Sequence, residues 1–595
     1  LAPVAAAATP SRALPPTSPV AQTAAVNGLL DAFGRGVADL QRSASTPGGS
    51  SRPSLTAAEA TSIARSSGRL QDWIDDHPIA RTAASLQSDD VWKVSFVSRA
   101  ADRSEKVEAE VFVEDDSGEI TEVRTGPQVA WFMARGHDDA FGRSLNTAPI
   151  WTALCVAFLL PLLRFRRLLS LRTLDLLAVL GFTLSWIWFQ KGEIFTSVPL
   201  QYLPLGYLGG RLAWIGVRRA RQLAREADPD ADAGAAPVAE AAPAPARPSL
   251  ANWCPTWLVV SVLAAVLVLR WGLNAFDSNV IDVGYAGVIG ADLIQEGATP
   301  YGNFPENCGR CDTYGPLTYM TYVPFRALLG WSGRWDDLPA AHGAATFFDL
   351  LALAGMLLLG RRLGGWRLGA LLALAWAAVP WSAYTLESNA NDALVGALLA
   401  WGLAFAARPF MRGLGVTLAV AAKFTPAVLL PLWFRHPFPR ARRSGARRRV
   451  ALFAAGIAAG VAATGWVLLL DGLDGVRAIW SRTIGYQADR ESPFSVWGQY
   501  PGLRPLQIAI GVAVLLAAVA LVRWPRRLDL LSMAAFSGAL LIGAQVVLEH
   551  WFYLYIPWFL PFVLAVVVPE WPHRAAPRRA AAADALPADP VPVAS

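Results

Sequence analysis

Apolar windows of about 18–22 residues recur along this chain, and that is the length an α-helix needs to cross the hydrocarbon core of a bilayer. The chain has 595 residues, 54% of them hydrophobic, and is too apolar for a single soluble domain. We therefore predict a polytopic α-helical membrane protein with about eleven spans. The predicted spans are 147–164, 172–190, 198–217, 256–272, 341–360, 368–384, 391–407, 450–470, 504–523, 528–548 and 551–568.

Basic residues cluster in short loops beside these windows, for example RFRR at 164–167 and RRARQLAR at 218–225. Because arginine-rich loops stay in the cytoplasm, the clusters orient the spans. They also account for the formal net charge of +6, so no nucleic-acid partner is expected. We expect a multi-pass protein of the plasma (inner) membrane, with an extracytoplasmic N-terminal domain and a cytoplasmic C-terminus.

One apolar segment conflicts with simple alternation of the spans. Residues 413–434 lie between RPFMR at 408–412 and RHPFPRARRSGARRR at 435–449, and both basic flanks should stay inside. A re-entrant hairpin broken at KFTP (423–426) satisfies both flanks, since proline disrupts a helix and irregular backbone is tolerated against protein or a cavity. Lys423 at that depth is a functional hypothesis. A lysine that snorkels to the interface is the alternative.

Composition divides the rest of the chain. Ala, Pro, Ser and Thr dominate residues 1–53, which are typical of a disordered leader, and LAPVAAAA at its start is consistent with removal of a targeting segment. A three-span segment (141–218) is followed by a cytoplasmic Pro/Ala linker (219–252). The main membrane module is predicted at 253–570, and 571–595 form a disordered cytoplasmic tail.

Residues 54–140 are predicted to form a small α+β domain. Thr56 and Glu59 make a capping box that begins a helix ending near Ser67. Three segments then alternate with period two, as strands do: VWKVSFV (91–97), KVEAEVFV (106–113) and EITEVRTG (119–126). This order, with a tryptophan in the first strand and a hairpin at DDSG, resembles a PepSY-type domain. It carries no catalytic constellation, so we interpret it as a regulatory or interaction module with a protein partner.

Four cysteines occur in the chain. Cys155 and Cys254 lie in or beside apolar windows and are expected to be inert. Cys308 and Cys311 form CGRC in an acidic loop placed outside the cytoplasm, where a disulfide is the favoured state. A redox site or half of a metal site is the alternative, but no second CxxC or nearby histidine completes it. A divalent metal is therefore not indicated.

Polar residues gather where spans end on the predicted outer side. A transporter is expected to carry ionisable residues within its spans and to show paired repeat halves, and the sequence shows neither. An enzyme that works at the membrane surface is expected to collect them on one side. The set comprises Asp277, Asp282, Glu387, Asn389, Asn391, Asp392, Arg490, Glu491, Glu549 and His550.

Within 255–568, the order of several short motifs resembles the membrane glycosyltransferases of the C-type superfamily that use polyprenyl-phosphate sugars, and family 87 among them most closely. The motifs are Asp282-Val-Gly-Tyr285 with Ala291, Ile294, Gly297 and Pro300-Tyr301; Tyr314-Gly-Pro316; Val323-Pro-Phe325; Asn391-Asp392; and Ala422-Lys-Phe-Thr-Pro426. The CGRC loop, the three N-terminal spans and the PepSY-like domain depart from this pattern.

The resemblance implies that one sugar, a mannose or a pentose, passes with inversion from a polyprenyl-phosphate carrier to an extracytoplasmic glycolipid, glycan or protein. An acceptor hydroxyl needs a base, for which Asp282 is the first candidate and Asp277 the second. Cations must stabilise the phosphate that leaves, and Lys423, Arg490 and His550 are the candidates. The candidates for binding sugar or acceptor are Tyr285, Tyr301, Glu387, Asn391, Asp392, Trp497 and Glu549.

Some of these residues have structural alternatives. Trp497 could belong to an interfacial tryptophan belt, and Glu387 and Asp392 could cap helix termini. Two other functions stay open: a lipid or polysaccharide transporter, and a membrane-anchored sensor or scaffold that acts through the PepSY-like domain. Apart from the lipid-linked donor, no cofactor is certain.

Overall fold

The computed structural model describes residues 53–75, 78–86, 90–99, 105–125, 129, 143–226, 254–278, 280–305, 311–331, 338–435, 445–485 and 492–569. All statements below concern these residues. The predicted leader (1–53, apart from Pro53), most of the linker and the tail lie outside them. They form a mostly helical structure with one small antiparallel sheet near the N-terminus.

The N-terminal domain has two helices, α1 (Ala57–Arg65) and α2 (Gly68–Ile74), and a four-stranded antiparallel sheet in the order β1-β2-β3-β4. The capping box predicted for the first helix is present, with Thr56 accepting from the Glu59 backbone. The strands are β1 (Ile79–Leu86), β2 (Val91–Arg99), β3 (Glu105–Glu114) and β4 (Ile120–Thr125). The sequence predicts the last three strands and misses β1 and α2.

The rest of the described chain is a bundle of helices. In order, they are α3 (Ala148–Leu159), α4 (Leu171–Gln190), α5 (Ile194–Arg225), α6 (Thr256–Phe276), α7 (Asp282–Gln295), α8 (Pro316–Met320), α9 (Val323–Leu329), α10 (Pro339–Gly364), α11 (Trp366–Ala378), α12 (Pro380–Glu387), α13 (Asp392–Ala404), α14 (Pro409–Ala422), α15 (Leu430–Trp433), α16 (Ala446–Gly465), α17 (Leu473–Ile479), α18 (Val496–Gln499), α19 (Arg504–Ala520), α20 (Leu530–Val546) and α21 (Ile556–Val567).

Five helices are long and apolar enough to cross a membrane, and a sixth span is added if α11 and α12, bent by 58° where they meet, are taken together. Shorter apolar helices of 10–17 residues include α3, α13, α14, α20 and the helical segment Tyr553–Val567. The helices thus indicate a membrane protein. The number of eleven spans and the domain boundaries stay predictions.

Contacts between helix ends divide the bundle into two ends. At one, Arg367 donates to the Cys254 carbonyl, Arg362 to the Ala404 carbonyl and Arg219 to the Asp529 carboxylate. We call this the arginine end. At the other, the N–H of Ile281 donates to the carbonyl of Ser388, Gln545 donates to the carbonyl of Tyr555, and Lys423 lies beside Asp392. We call this the site end.

The segment around Lys423 is a hairpin, as the charge pattern predicts. Helix α14 ends at Ala422, a 3-10 turn (Thr425–Leu429) follows, and α15 returns the chain. The Arg412 side chain at the start of α14 donates to the carbonyl of Trp433 at the end of α15. Both ends of the segment therefore lie at the arginine end, and the break at Lys423 lies at the site end.

Charged side chains are also buried within the helices, which corrects the sequence analysis. Arg270 of α6 pairs with Asp349 of α10 at 2.9 Å, and both side chains are 1% exposed. Arg211 of α5 pairs with Asp175 of α4, also at 2.9 Å. The expectation that ionisable residues are missing from the spans is therefore wrong, and it no longer argues against a transporter.

Candidate active site

The turn between Tyr314 and Pro316 docks on the break that ends α14. The N–H of Gly315 and the hydroxyl of Thr318 both donate to the carbonyl of Ala422, at 3.1 and 2.8 Å. A Cβ at Gly315 would collide with the carbonyl of Ala421, so only glycine allows this approach. The two carbonyls at the end of α14 thereby fix the loop that carries Tyr314.

Lys423 follows this break in an extended conformation and is 7% exposed. Its Nζ lies 3.8 Å from the centre of the Tyr314 ring and 3.7 Å from Oδ1 of Asp392. Since 3.7 Å is longer than a hydrogen bond, the lysine is attracted by both groups without a hydrogen bond to this carboxylate. This arrangement holds a cation at the site end of the bundle.

Asp392 is the first residue of α13 and is fully buried. Its Oδ1 accepts a 2.9 Å hydrogen bond from Nε1 of Trp558, whereas its Oδ2 has no hydrogen-bond partner among the described residues. Asn391 occupies the N-cap position without a side-chain cap hydrogen bond, and its amide N and O are also buried and unpartnered within the described part of the chain. The alternative that Asp392 caps a helix terminus is not supported by its hydrogen bonds, since Oδ1 accepts from Trp558 and Oδ2 has no partner among the described residues.

The base candidate Asp282 begins α7, at the same end of the bundle. The N–H of Ile281 donates to Ser388, and a Cβ at Gly284 would lie 2.7 Å from the carbonyl of Asn389. The start of α7 therefore packs on the turn that leads to Asp392. Asp282 is half-buried, and the positive N-terminal end of the helix favours a negative charge there.

The second base candidate lies in a different setting. Asp277 ends α6, and its Oδ2 accepts a 3.1 Å hydrogen bond from the N–H of Ser144. This bond ties the loop to the segment before α3. It gives Asp277 a structural partner, and Asp282 stays the first candidate for the base because it begins α7 and belongs to the motif that carries the resemblance.

His550 and Glu549 lie between α20 and α21 at the site end. Nδ1 of His550 is 2.8 Å from the Ser492 hydroxyl, and its ring packs edge-on against Phe494. Glu549 accepts hydrogen bonds from Arg504 and Gln507 at 3.1 and 2.8 Å. His550 is half-buried at the site end of the bundle, and both hydrogen-bond partners of Glu549 lie in α19.

Several predicted sugar-binding residues are buried inside the protein. Trp497 is 5% exposed and donates to the carbonyl of Val546, so its indole joins two parts of the fold. Tyr301 donates to the carbonyl of Tyr314, and burial raises the pKa of its phenol. The same depth, 3% exposure or less, applies to Tyr285 and Glu387. Burial does not distinguish them from Asp392, which is buried as well, so their assignment to the sugar or the acceptor stays a prediction.

Three residues singled out by the sequence analysis lie outside the described residues: Arg490, Glu491 and Cys308. Cys311 is disulfide-bonded, while Cys155 and Cys254 are free thiols. The pairing of Cys308 with Cys311 stays a prediction. In the described part of the chain, no group of three or more His, Cys, Asp or Glu side chains could hold a metal ion.

The structure adds two aromatic residues that the sequence analysis does not propose for the site. Tyr314 lies against Lys423, and Trp558 donates to Asp392. The YGP turn at 314–316 is the one signal that could have pointed to Tyr314. Nothing local marks Trp558, because it reaches Asp392 from a helix 166 residues further along the chain.

These features define a helical membrane protein with a buried lysine–aspartate pair at one end of its bundle. Residues 313–548 match the model of glycosyltransferase family 87, a family of membrane glycosyltransferases, over about two fifths of the chain. The match indicates a glycosyltransferase domain. Comparisons with curated proteins and with solved structures returned no match.

The matched segment contains Lys423, Asp392 and Tyr314 but begins after Asp282 and ends before His550. The base candidate Asp282 and the phosphate-binding candidate His550 are therefore outside it. The resemblance of the N-terminal domain to PepSY domains also stays a prediction.

Proposed function

We propose that this protein is an inverting glycosyltransferase that moves a mannose or a pentose from a polyprenyl-phosphate carrier to a glycolipid, glycan or protein acceptor. The proposal rests above all on Lys423, a buried cation placed at a helix break between Tyr314 and Asp392. A cation in such a place is costly, and a phosphate anion would offset that cost. The family match supports the class of reaction.

In the proposed reaction, the acceptor hydroxyl attacks the anomeric carbon and its proton passes to the carboxylate of Asp282. The bond between that carbon and the phosphate oxygen breaks, and the electron pair leaves with the polyprenyl phosphate. Attack opposite to the leaving group inverts the anomeric configuration.

Lys423 stabilises the negative charge that grows on the phosphate, so its interaction is stronger in the transition state than in the ground state. Tyr314 and Asp392 keep the ammonium in place before the phosphate arrives. His550, which lies at the same end of the bundle, is proposed as a second phosphate ligand.

We place the site end outside the cytoplasm and the arginine end inside, following the distribution of arginines. The bilayer then delivers the carrier phosphate to the outer surface, where Asp282 meets the acceptor. The N-terminal α+β domain lies on the same outer side and is proposed to bind a protein partner.

The proposal is tested with the full chain in liposomes that contain radiolabelled polyprenyl-phosphate mannose or arabinose and a membrane extract as acceptor, with and without chelator. Wild-type protein should transfer label. Asp282→Asn should abolish transfer with unchanged membrane insertion, and Asp277→Asn should retain it. Movement of intact carrier without transfer of its sugar would support a transporter, and full activity of Asp282→Asn would remove the assigned base.

A further inference from the structure

Helices α4 and α5 precede the matched segment by about a hundred residues, yet they contact the segment that carries His550 directly. The hydroxyl of Tyr553, just before α21, lies 2.6 Å from that of Ser185 in α4 and 2.9 Å from that of Ser197 in α5. All three side chains are buried. Because a buried hydroxyl is costly without its partners, this cluster fixes the segment 549–555 on the α4–α5 pair.

The same two helices hold a second external segment. Gln201 of α5 donates to the carbonyl of Phe494 at 3.3 Å, and Gln499 donates to the carbonyl of Ile194 at 3.2 Å. Aromatic rings fill the space between them, with Phe189 tilted against Phe494 and edge-on to Tyr553. The loop 492–499 is therefore seated on the start of α5.

These two segments meet at His550. One carries the histidine, and the other supplies Ser492, whose hydroxyl lies 2.8 Å from Nδ1, and Phe494, whose ring centre lies 5.3 Å away. A partner at Nδ1 sets the orientation of the ring and hence the direction in which Nε2 points. The orientation of His550 thus depends on contacts that begin in α4 and α5.

We propose that the α4–α5 pair is a part of the catalytic unit that positions His550, and that it is more than a membrane anchor for the N-terminal domain. This inference rests on the proposed function, in which His550 binds the donor phosphate. Tyr553, Ser185, Ser197 and Gln201 act through His550 and are positioning residues. The catalytic unit accordingly begins well before residue 313.

Tyr553→Phe removes one hydroxyl that joins α4 and α5 to the site. Tyr207→Phe is the matched control, since it removes a hydroxyl that joins the same two helices through Asp175. We expect Tyr553→Phe to lower kcat/KM for the donor about tenfold by displacing His550. The control should equal wild type, and both variants should insert normally.

A double-mutant cycle distinguishes an effect on the position of His550 from a general loss of packing. In a His550→Gln background, Tyr553→Phe should lower kcat/KM only slightly further, because the histidine that Tyr553 positions has already been replaced. If Tyr553→Phe lowered kcat/KM by a further factor of about ten in the His550→Gln background, the proposal would be overturned. Equal kcat/KM for Tyr553→Phe and Tyr207→Phe would overturn it too, whereas a wild type without any transfer activity would instead contradict the proposed function.

A second readout needs no substrate. A protease site inserted in 227–253 allows the chain to be cut between α5 and α6 in detergent. The two fragments should then copurify, with Tyr553→Phe weakening the association. Fragments that separate readily, with the larger one still active, would show that α4 and α5 are an anchor only.

Discussion

Two buried ion pairs of the bundle have similar chemistry and differ in how completely they are hydrogen-bonded. Arg270 and Asp349 lie 2.9 Å apart, Arg270 also donates to Ala377 and Ser382, and Asp349 accepts from two tryptophans. Lys423 and Asp392 lie 3.7 Å apart, and Oδ2 of Asp392 has no partner in the described structure. Within the described residues, the first pair leaves one buried donor without a partner, Nε of Arg270, and the second leaves one buried acceptor. We call the first pair closed, because all its other side-chain polar atoms are hydrogen-bonded, and the second pair open.

The difference indicates different tasks. A buried pair with nearly all its donors and acceptors used fixes the packing of the helices that carry it. A buried pair with unused capacity costs free energy that a ligand can recover on binding. We therefore interpret Arg270–Asp349 as structural. In the pair Lys423–Asp392, the ammonium is the group that would meet the donor phosphate, and Oδ2 of Asp392, which has no partner among the described residues, would accept a hydrogen bond from a sugar hydroxyl.

The largest effect is expected from removing both charges of the open pair. Lys423→Met with Asp392→Asn leaves no uncompensated charge, so the melting temperature should stay close to that of wild type. Transfer should fall about 10²–10³-fold, because one charged stabiliser of the leaving phosphate is lost. Turnover and thermal stability, measured on the same preparation, check this. Wild-type turnover would place the phosphate elsewhere.

The closed pair should respond in the opposite way. Arg270→Met leaves Asp349 charged and buried, which typically costs about 3–5 kcal/mol. We expect little folded protein in membranes, detected by size-exclusion chromatography in detergent. The protein that does fold should keep near-normal kcat per folded molecule. A stable but inactive Arg270→Met would mean that both pairs act in catalysis.

A smaller effect sharpens the account of the open pair. The ring of Tyr314 attracts the Lys423 ammonium. Tyr314→Phe keeps a ring and should keep most activity, while Tyr314→Leu should raise the KM for the donor about tenfold, as expected for a partly desolvated cation–π contact. Steady-state kinetics of the two variants decide this, and equal values would show that the ring does not hold the lysine.

The smallest effect is expected at an exposed carboxylate, which contrasts with both buried pairs. Hydrogen bonds from Thr56 lower the pKa of Glu59 in the folded domain. Because the folded pKa lies below the unfolded one, the stabilisation is present above the unfolded pKa and disappears as the pH falls through the folded pKa. The protection factors of the α1 amides, which correct the exchange rates for their intrinsic pH dependence, should therefore fall in acid, and Glu59→Gln should remove this change. An unchanged dependence would exclude Glu59 as its source.

The sequence predicts those structural features that depend on neighbouring residues or on the distribution of charge. The hairpin at Lys423 follows from two basic flanks and a proline, and the start of α1 follows from the capping box of Thr56 and Glu59. Strand β1 was missed because IARTAASL contains three alanines and little β-branched character. A segment with such a weak strand pattern joins a sheet by pairing with an adjacent strand, which is β2 here.

The closed pair and Trp558 could not be predicted for a different reason. Arg270 and Asp349 each look like an isolated charge in an apolar window, and they become partners when α6 packs on α10. Trp558 reaches Asp392 in the same way, through the packing of α21 on α13. Contacts between helices far apart in sequence leave no periodic signal.

The most direct test of the open pair measures saturable binding of a photoreactive polyprenyl phosphate to the full-length protein in liposomes. The variant Lys423→Met/Asp392→Asn should lose this binding, while its matched control Arg270→Met/Asp349→Asn should keep it in the folded fraction. Undiminished labelling of the first variant, or equal loss in both, would contradict the assignment of Lys423 to the donor phosphate.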